Sequence, residues 1–293
     1  MERLVGYFAH ISSTHRSAIL VGGIMAFWLI ESAVPLFQFN RHQSDYSKTR
    51  HAGLNLFFTA TTITVNFCLA IVLLKTSDWA VANHVGLLQW MSRADFGLPL
   101  WAEALIGLLL LDLMGAWLVH WTEHRVRWMW KFHLIHHTDT CVDTNTANRH
   151  HPGESVIRFA FTTLAVLVAG APMWLVFLYQ SLSVVLAQFN HANIDLPRWA
   201  DRALNWLLVT PNMHHVHHHR TQPLTDTNYG NIFSIWDRLF DTYTEVDGRE
   251  LMYGVDTHPE PHEHSQMSNL LKIPFQPYRQ PTPEGVKKER VML

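Results

Sequence analysis

The chemistry in this chain rests with its histidines. His120 and His124 form an HxxxH pair, and His133, His136 and His137 form an HxxHH triplet. His214, His217 and His218 repeat the triplet spacing. Positions i, i+3 and i+4 lie on one side of a helix, so each motif presents its imidazoles in one direction if its segment is helical. Neutral imidazole is a metal ligand and suits iron, zinc, copper or nickel better than magnesium or calcium. A single HxxxH is more often a pair of surface histidines, and it is the repetition that argues for metal. A structural zinc takes four ligands, so the eight imidazoles of the three motifs point to at least two metal ions. The chain has two cysteines, Cys68 in an apolar run and Cys141 in a polar loop. Neither a disulfide nor an iron–sulfur cluster is expected, and the donors are nitrogen and oxygen.

Spacing also constrains the elements that position these ligands. His124 and His133 are nine residues apart, and nine steps of about 100° turn a helix to its opposite face. One straight helix cannot aim both motifs at one site, so a break is expected within Arg125–Lys131. Glu123, Asp139, Asp143, Asp226 and Asp237 are candidates to orient imidazole N–H groups, Asp237 foremost. Asp112, two turns before His120, reads instead as a helix-packing residue.

The rest of the chain looks built for a membrane. Of 293 residues, 48% are hydrophobic and 16% charged, the latter well below the roughly 25% of soluble domains. Twelve tryptophans suit interfacial belts. A net charge of −2 leaves no footprint for nucleic acid. Apolar runs at Ala18–Phe39, Leu54–Leu74 and Leu98–Val119 are each long enough to span a bilayer. Glu31, inside the first run, is expected to face protein or to lie near a helix end. No cleaved signal peptide is expected at the start of the chain. Val156–Phe189 is too long for one span and is interrupted by Gly170-Ala171-Pro172, so a hairpin is expected there. A hairpin is also required if all three motifs are to meet, because a single crossing would put His214–His218 across the membrane from the others. The loops on the histidine side hold Arg41, Lys48, Arg50, Arg125, Arg127, Lys131, Arg149 and Arg158, against Lys75 and Arg93 opposite. By the charge rule the histidine face is cytoplasmic, with Arg3 and Arg16 as contrary charges on the other side. Asp256–Leu293 has six prolines and reads as an extended or disordered tail in which His258, His262 and His264 are solvated.

The motif order HxxxH, HxxHH, HxxHH resembles the fatty acid hydroxylase / sterol desaturase superfamily, membrane enzymes with a histidine-bound di-iron centre. Arg149-His150-His151-Pro152, Phe189-Asn190-His191 with Leu196-Pro197, and Thr210-Pro211-Asn212-Met213-His214 extend the likeness. So do Asp226-Thr227-Asn228-Tyr229-Gly230 and Ser234-Ile235-Trp236-Asp237-Arg238-Leu239-Phe240. The family usually continues with Gly-Thr, where this chain has Asp241-Thr242. The resemblance covers about Leu98 to Gly254, and its last part looks most like the alkylglycerol monooxygenase branch.

That resemblance implies metal ligands at His120, His124, His133, His136, His137, His214, His217 and His218, with His191 and His151 added. His215 and His219 offer an alternative register, but the preceding Thr-Pro-x-x-His favours His214. It implies an all-α integral membrane protein with about four to five membrane helices, the last pair a hairpin, and a cytosolic helical cap holding the dimetal centre. N-terminal helices and a connector would occupy 1–97, the catalytic domain 98–255, and the Pro-rich tail 256–293. It further implies two iron ions, zinc being a possible substitute, with O2 as co-substrate for hydroxylation or desaturation of a sterol, fatty acyl or ether-lipid substrate. No GxGxxG fingerprint is present, so electrons would come from an external reductase or small reductant. The alternative is a histidine-rich membrane protein that transports or buffers zinc or iron, which would place ligands near the bilayer midplane and on both sides of it.

Overall fold

The computed structural model describes residues 1–39, 47–94 and 96–281. Arg41 and the last residues of the tail, 282–293, lie outside these. The regular elements among the described residues are all helical, with three isolated β-bridges and no extended strand. A short helix α1 (Glu2–Ala9) precedes α2 (Ser13–Ala33), whose Ser12 cap accepts from His15 N. Helix α3 (Lys48–Ala82) overruns the apolar stretch that announces it. Its polar end is used in packing: Ser77 Oγ is buried and donates to Ala171 O at 2.8 Å. Helix α4 (Leu87–Arg93) follows as part of the connector.

Helix α5 (Leu100–Asp112) runs through a π-helical turn, Leu113–Leu118, straight into α6 (Val119–Arg125). Such wide turns cluster at functional sites, and this one resets the phase of the helix just before His120. The chain then breaks at Val126, which is extended (φ −102°, ψ 109°), before α7 (Arg127–His137). The break lies inside the interval that the nine-residue spacing demands.

The apolar stretch after His151 folds as a hairpin of α8 (Pro152–Ala169) and α9 (Met173–His191). Gly170 closes α8 at φ +65°, and Pro172 begins α9. The tip is pinned by a close approach: a Cβ on Gly86 would stand 2.2 Å from Gly170 N. Among the described residues, five helices are long and apolar enough to cross a membrane. Their common core holds Leu111, Ala165, Val166, Ala169, Leu175 and Val176, all fully buried.

The remaining elements form a cap at the end of the bundle where α6 and α9 carry their histidines. They include α10 (Arg198–Leu204), α11 (Pro211–His217) and α12 (Ile235–Leu239). Glu31, near the end of α2, ties bundle to cap by accepting from Thr144 N, Thr144 Oγ1 and Asn193 N at 3.1, 2.9 and 3.2 Å. Asp112 does similar work, accepting from Ile232 N, Phe233 N and Trp236 Nε1.

The tail departs from expectation. Residues 256–281 are ordered against the cap through α13 (Pro261–Ser265) and α14 (Met267–Leu270). Leu270 and Ile273 pack with Phe58, Leu134 and Ile135. His258 is buried rather than solvated, and burial lowers its imidazole to about 4. Arg149 explains the docking. Its guanidinium is 1% exposed and donates to Ile135 O, Asn55 Oδ1, Thr138 Oγ1 and His264 O. A backbone carbonyl of the tail thus completes a buried cation's hydrogen bonds. Proline-rich composition is silent about such a partner.

Candidate metal centre

Each HxxHH motif feeds two separate groups of imidazoles. One group joins His120, His124, His133, His137 and His217, and the other joins His136, His191, His214 and His218. Within each, the candidate ligand atoms lie within 4.8 Å of one another. The division follows from helix geometry. Neighbouring residues point about 100° apart, so His136 and His137 diverge, as do His217 and His218. The first motif sends its i and i+4 imidazoles to one group and its i+3 to the other. The second motif does the reverse. The groups adjoin, since the His137 and His218 rings stack with centroids 4.8 Å apart.

Hydrogen bonds on the outer nitrogens fix which nitrogen faces inward. His120 Nδ1 donates to Tyr229 O at 2.8 Å, His133 Nδ1 to Glu154 Oε1 at 2.7 Å, and His124 Nδ1 to Asp226 Oδ1 at 3.1 Å. His217 Nδ1 donates to Thr227 O, and His191 Nδ1 to Ala187 O, both at 2.7 Å. A neutral imidazole has one N–H, so each of these rings presents a bare Nε2 lone pair inward. Yet His120 Nε2 and His133 Nε2 are 3.1 Å apart. His191 Nε2 stands 3.1 Å from both His136 Nε2 and His214 Nε2. The facing lone pairs of His120 and His133 repel unless a cation lies between them, and in the second group the Nδ1 atoms of His136 and His214 have no protein partner. Two nitrogens each about 2.1 Å from one metal stand about 3 Å apart when their bonds meet near a right angle. The donor set therefore fits two metal ions, one per group.

Burial favours the neutral, ligating form. It holds His133, His136, His137, His214, His217 and His218 well below the ordinary imidazole value, and neighbouring imidazoles push them further the same way. The Nε2 atoms of His124 and His217 are buried with no protein partner.

Of the ten histidines the sequence points to, nine lie in the two groups. His151 does not. Its Nδ1 accepts from Gly153 N at 2.9 Å, capping α8, and its ring lies against Phe132 and Phe275. The residue before Pro152 is pushed to extended backbone, and here that makes it a helix cap. His215 is turned away, bonded to Tyr253 Oη at 2.7 Å and to His191 O at 3.1 Å. Burial lowers it to about 4.

Among the candidate carboxylates, Asp226 holds His124 directly. Asp237 acts one residue away: it accepts from Tyr229 N and Gly230 N, fixing the loop whose Tyr229 carbonyl orients His120. Glu123 is bonded to Arg158 at 2.6 Å and lies 3.7 Å from His133 Nδ1. Asp139 pairs with His51, and Asp143 caps the turn at Thr144–Asn148. The motifs do not point to Glu154, though its Oε1 receives His133, His150 and Arg158 together. A signal was present in the i, i+4 spacing of His150, Glu154 and Arg158, which shares one helix face.

Beside the two groups lies a cavity of about 680 Å³. His120, His136, His191 and His214 line one end, so it touches both groups. Ile19, Leu20, Phe67, Leu73, Phe159 and Phe177 supply apolar walls from α2, α3, α8 and α9.

Residues 104–242 match the model of the fatty acid hydroxylase family. The chain is 23% identical to ornithine lipid hydroxylase OlsE of Rhizobium tropici over 63% of its own length and 52% of that protein's. It is 27% identical to cholesterol 25-hydroxylase-like protein 1, member 2 of Danio rerio, covering 59% of this chain and 67% of the relative. It is 30% identical to the alkylglycerol monooxygenase of Homo sapiens, covering 58% of this chain and 37% of the relative. The matched part thus spans about half the length of such relatives. No solved structure matches the chain.

Proposed function

We propose that this protein is a membrane-embedded di-iron oxygenase that uses O2 to hydroxylate or desaturate a lipid. The observation that carries the reading is the pairing of two buried imidazole groups with an apolar cavity that opens onto both. The names of the relatives, a lipid hydroxylase, a sterol hydroxylase-like protein and an ether-lipid monooxygenase, support the same class.

In this reading His120, His124, His133, His137 and His217 hold one iron, and His136, His191, His214 and His218 hold the other. Iron held there would supply the reducing equivalents needed to use O2 against an unactivated C–H bond. The chain's own residues do the rest. Asp226, Glu154 and the carbonyls of Tyr229, Thr227 and Ala187 fix ring orientation by taking the outer N–H of each ligand. The apolar walls bind the alkyl part of the lipid and exclude water from the reacting carbon. Electrons come from an external donor, as no second redox group is built into the sequence.

The catalytic unit is taken to run from about 98 to 255, with the N-terminal helices as cavity walls and the tail sealing the cap. The histidine end is assigned to the cytoplasm. Arg149 and Arg158 are engaged in internal pairs, but Lys48, Arg50, Arg125, Arg127 and Lys131 still favour that side. A transport role would need ligands spread through the bilayer. The two imidazole groups adjoin, with the His137 and His218 rings stacked at 4.8 Å, which favours one site over ligands so spread.

Metal analysis and absorption spectra of anaerobically purified protein test the reading, with His136→Ala alongside. About two irons per chain, oxidised by O2 and diminished in the variant, are expected. Two zincs kept under iron-replete expression, with no response to O2, would overturn it.

A further inference from the structure

The cavity has a direction. Its α9 wall runs from Met173 to His191, about 27 Å at 1.5 Å per residue. At the histidine end its wall includes Thr62, Asn148, His150, Ser155 and Arg158. At the far end it includes Leu73, Leu74, Met173 and Phe177, with Ser13, Arg16 and Ser17 at the rim. Between α2 and α3 the side of the cavity is lined by Ile63 and Phe67, which are 51% and 81% exposed on the bundle surface. A lipid can therefore enter sideways from the bilayer.

A polar head could lie at either end, and the cost of the opposite choice decides between them. The polar groups at the histidine end are enclosed. Asn148 Nδ2 is buried and has no protein acceptor, and Ser155 is 4% exposed. Ser155 is already bonded to Thr62 at 2.9 Å, so the unmet group is Asn148 Nδ2, and a chain terminus packed there would leave that donor unpaired, which is unfavourable in a low-dielectric site. At the far end Ser13, Arg16 and Ser17 are exposed. Arg16 lays its guanidinium over the Phe177 ring at 4.9 Å and keeps access to water, so an alkyl terminus beside it strands nothing. Charge narrows the head group further. The Arg158 guanidinium is already matched by Glu123 at 2.6 Å and Glu154 at 3.0 Å. It offers no spare cation to a carboxylate or phosphate.

We infer that the substrate is a lipid with an uncharged, hydrogen-bonding head group, held head-inward at Asn148, and oxidised close to the junction of head and chain. This rests on the oxygenase reading for the word oxidised, but the binding orientation does not. The contrary charge of Arg16 in the topology then has a place, at the open end of the chain-binding cavity.

Photolabelling of metal-free protein in nanodiscs tests it without turnover. Two probes are used, a long-chain alcohol with a diazirine at the chain end and one with the diazirine beside the hydroxyl. Peptide mass spectrometry should place the chain-end label around Leu73–Leu74 and Met173–Phe177. The head-side label should fall around Ala147–Ser155 and Val184–His191. Asn148→Leu should cut head-side labelling about fivefold, the loss of one hydrogen bond, and the matching fatty acid should compete less well than the alcohol. The reversed pattern, equal labelling of both ends, or a fatty acid that competes as well as the alcohol would overturn it. Should N148L fail to fold, the label positions in the unaltered protein decide alone. Correct labelling in a protein whose iron-loaded form oxidises no lipid would sink the oxygenase reading and leave this one standing.

Discussion

Glu154 Oε1 stands 2.7 Å from His133 Nδ1, in a place where neither side chain is exposed to solvent. The contact decides that His133 offers Nε2 to its group. Glu154→Gln keeps the shape and removes the charge. Loss of such an outer partner typically costs 10–100-fold in metal affinity, and a drop of that size is expected, read by competitive chelator titration. Unchanged affinity would mean that the helix alone holds the His133 ring.

The two groups are expected to load separately. His124→Ala should leave about one metal per chain, because His124 serves one group only. His218→Ala should do the same through the other. Elemental analysis against protein concentration reads both. Loss of all metal in either variant would show that the ions bind only as a pair.

His151 is a ligand that the family resemblance implies, and it lies outside both imidazole groups, capping α8. His151→Ala should leave metal content unchanged while costing about 1 kcal/mol through the lost cap of α8. Thermal unfolding and elemental analysis on the same sample separate the two effects.

Acid should destabilise the metal-free protein. The six cap histidines whose values burial lowers stay neutral when folded and take up protons when unfolded. The unfolded chain therefore binds more protons, and stability falls as pH falls below the ordinary imidazole value of about 6.5. Each such group contributes about 1.4 kcal/mol per pH unit in the window between that value and its own folded one. Denaturation followed between pH 7.5 and 5 should show a steep decline. A flat profile would mean that the imidazoles are hydrated in the metal-free state.

Arg149 is the strongest single point of attachment between cap and tail. Arg149→Leu would leave Ile135 O, Asn55 Oδ1, Thr138 Oγ1 and His264 O without their donor and remove a cation from near Asp139. Burial alone would raise that carboxyl, but His51 and Arg149 outweigh it and hold it well below the usual carboxylate range. Removing one member of a buried charged set costs roughly 3–5 kcal/mol. Limited proteolysis should then cut first within 256–281, and an unaltered digest would rule out the attachment.

What the sequence disclosed and what it hid have a common physical cause. His120 to His137 could be read because helical spacing is local, and the nine-residue offset demanded the break found at Val126. The α8–α9 hairpin could be read because Gly170 and Pro172 interrupt a run too long for one crossing. Contacts between distant segments were hidden. Glu31 meets Thr144, and Arg149 meets His264, with no local pattern to announce either. His151 misled because an imidazole beside Pro152 can cap a helix as readily as it can bind metal.

The crossed allocation of the two HxxHH motifs has a mechanical consequence. Helix α7 holds ligands of both groups, as does α11. A rotation of α7 about its axis that advances His136 must withdraw His133 and His137, and α11 imposes the mirror-image constraint through His214, His217 and His218. With metal bound as proposed, neither imidazole group could relax alone, so strain introduced at one by ligand exchange would be delivered to the other through two rigid levers.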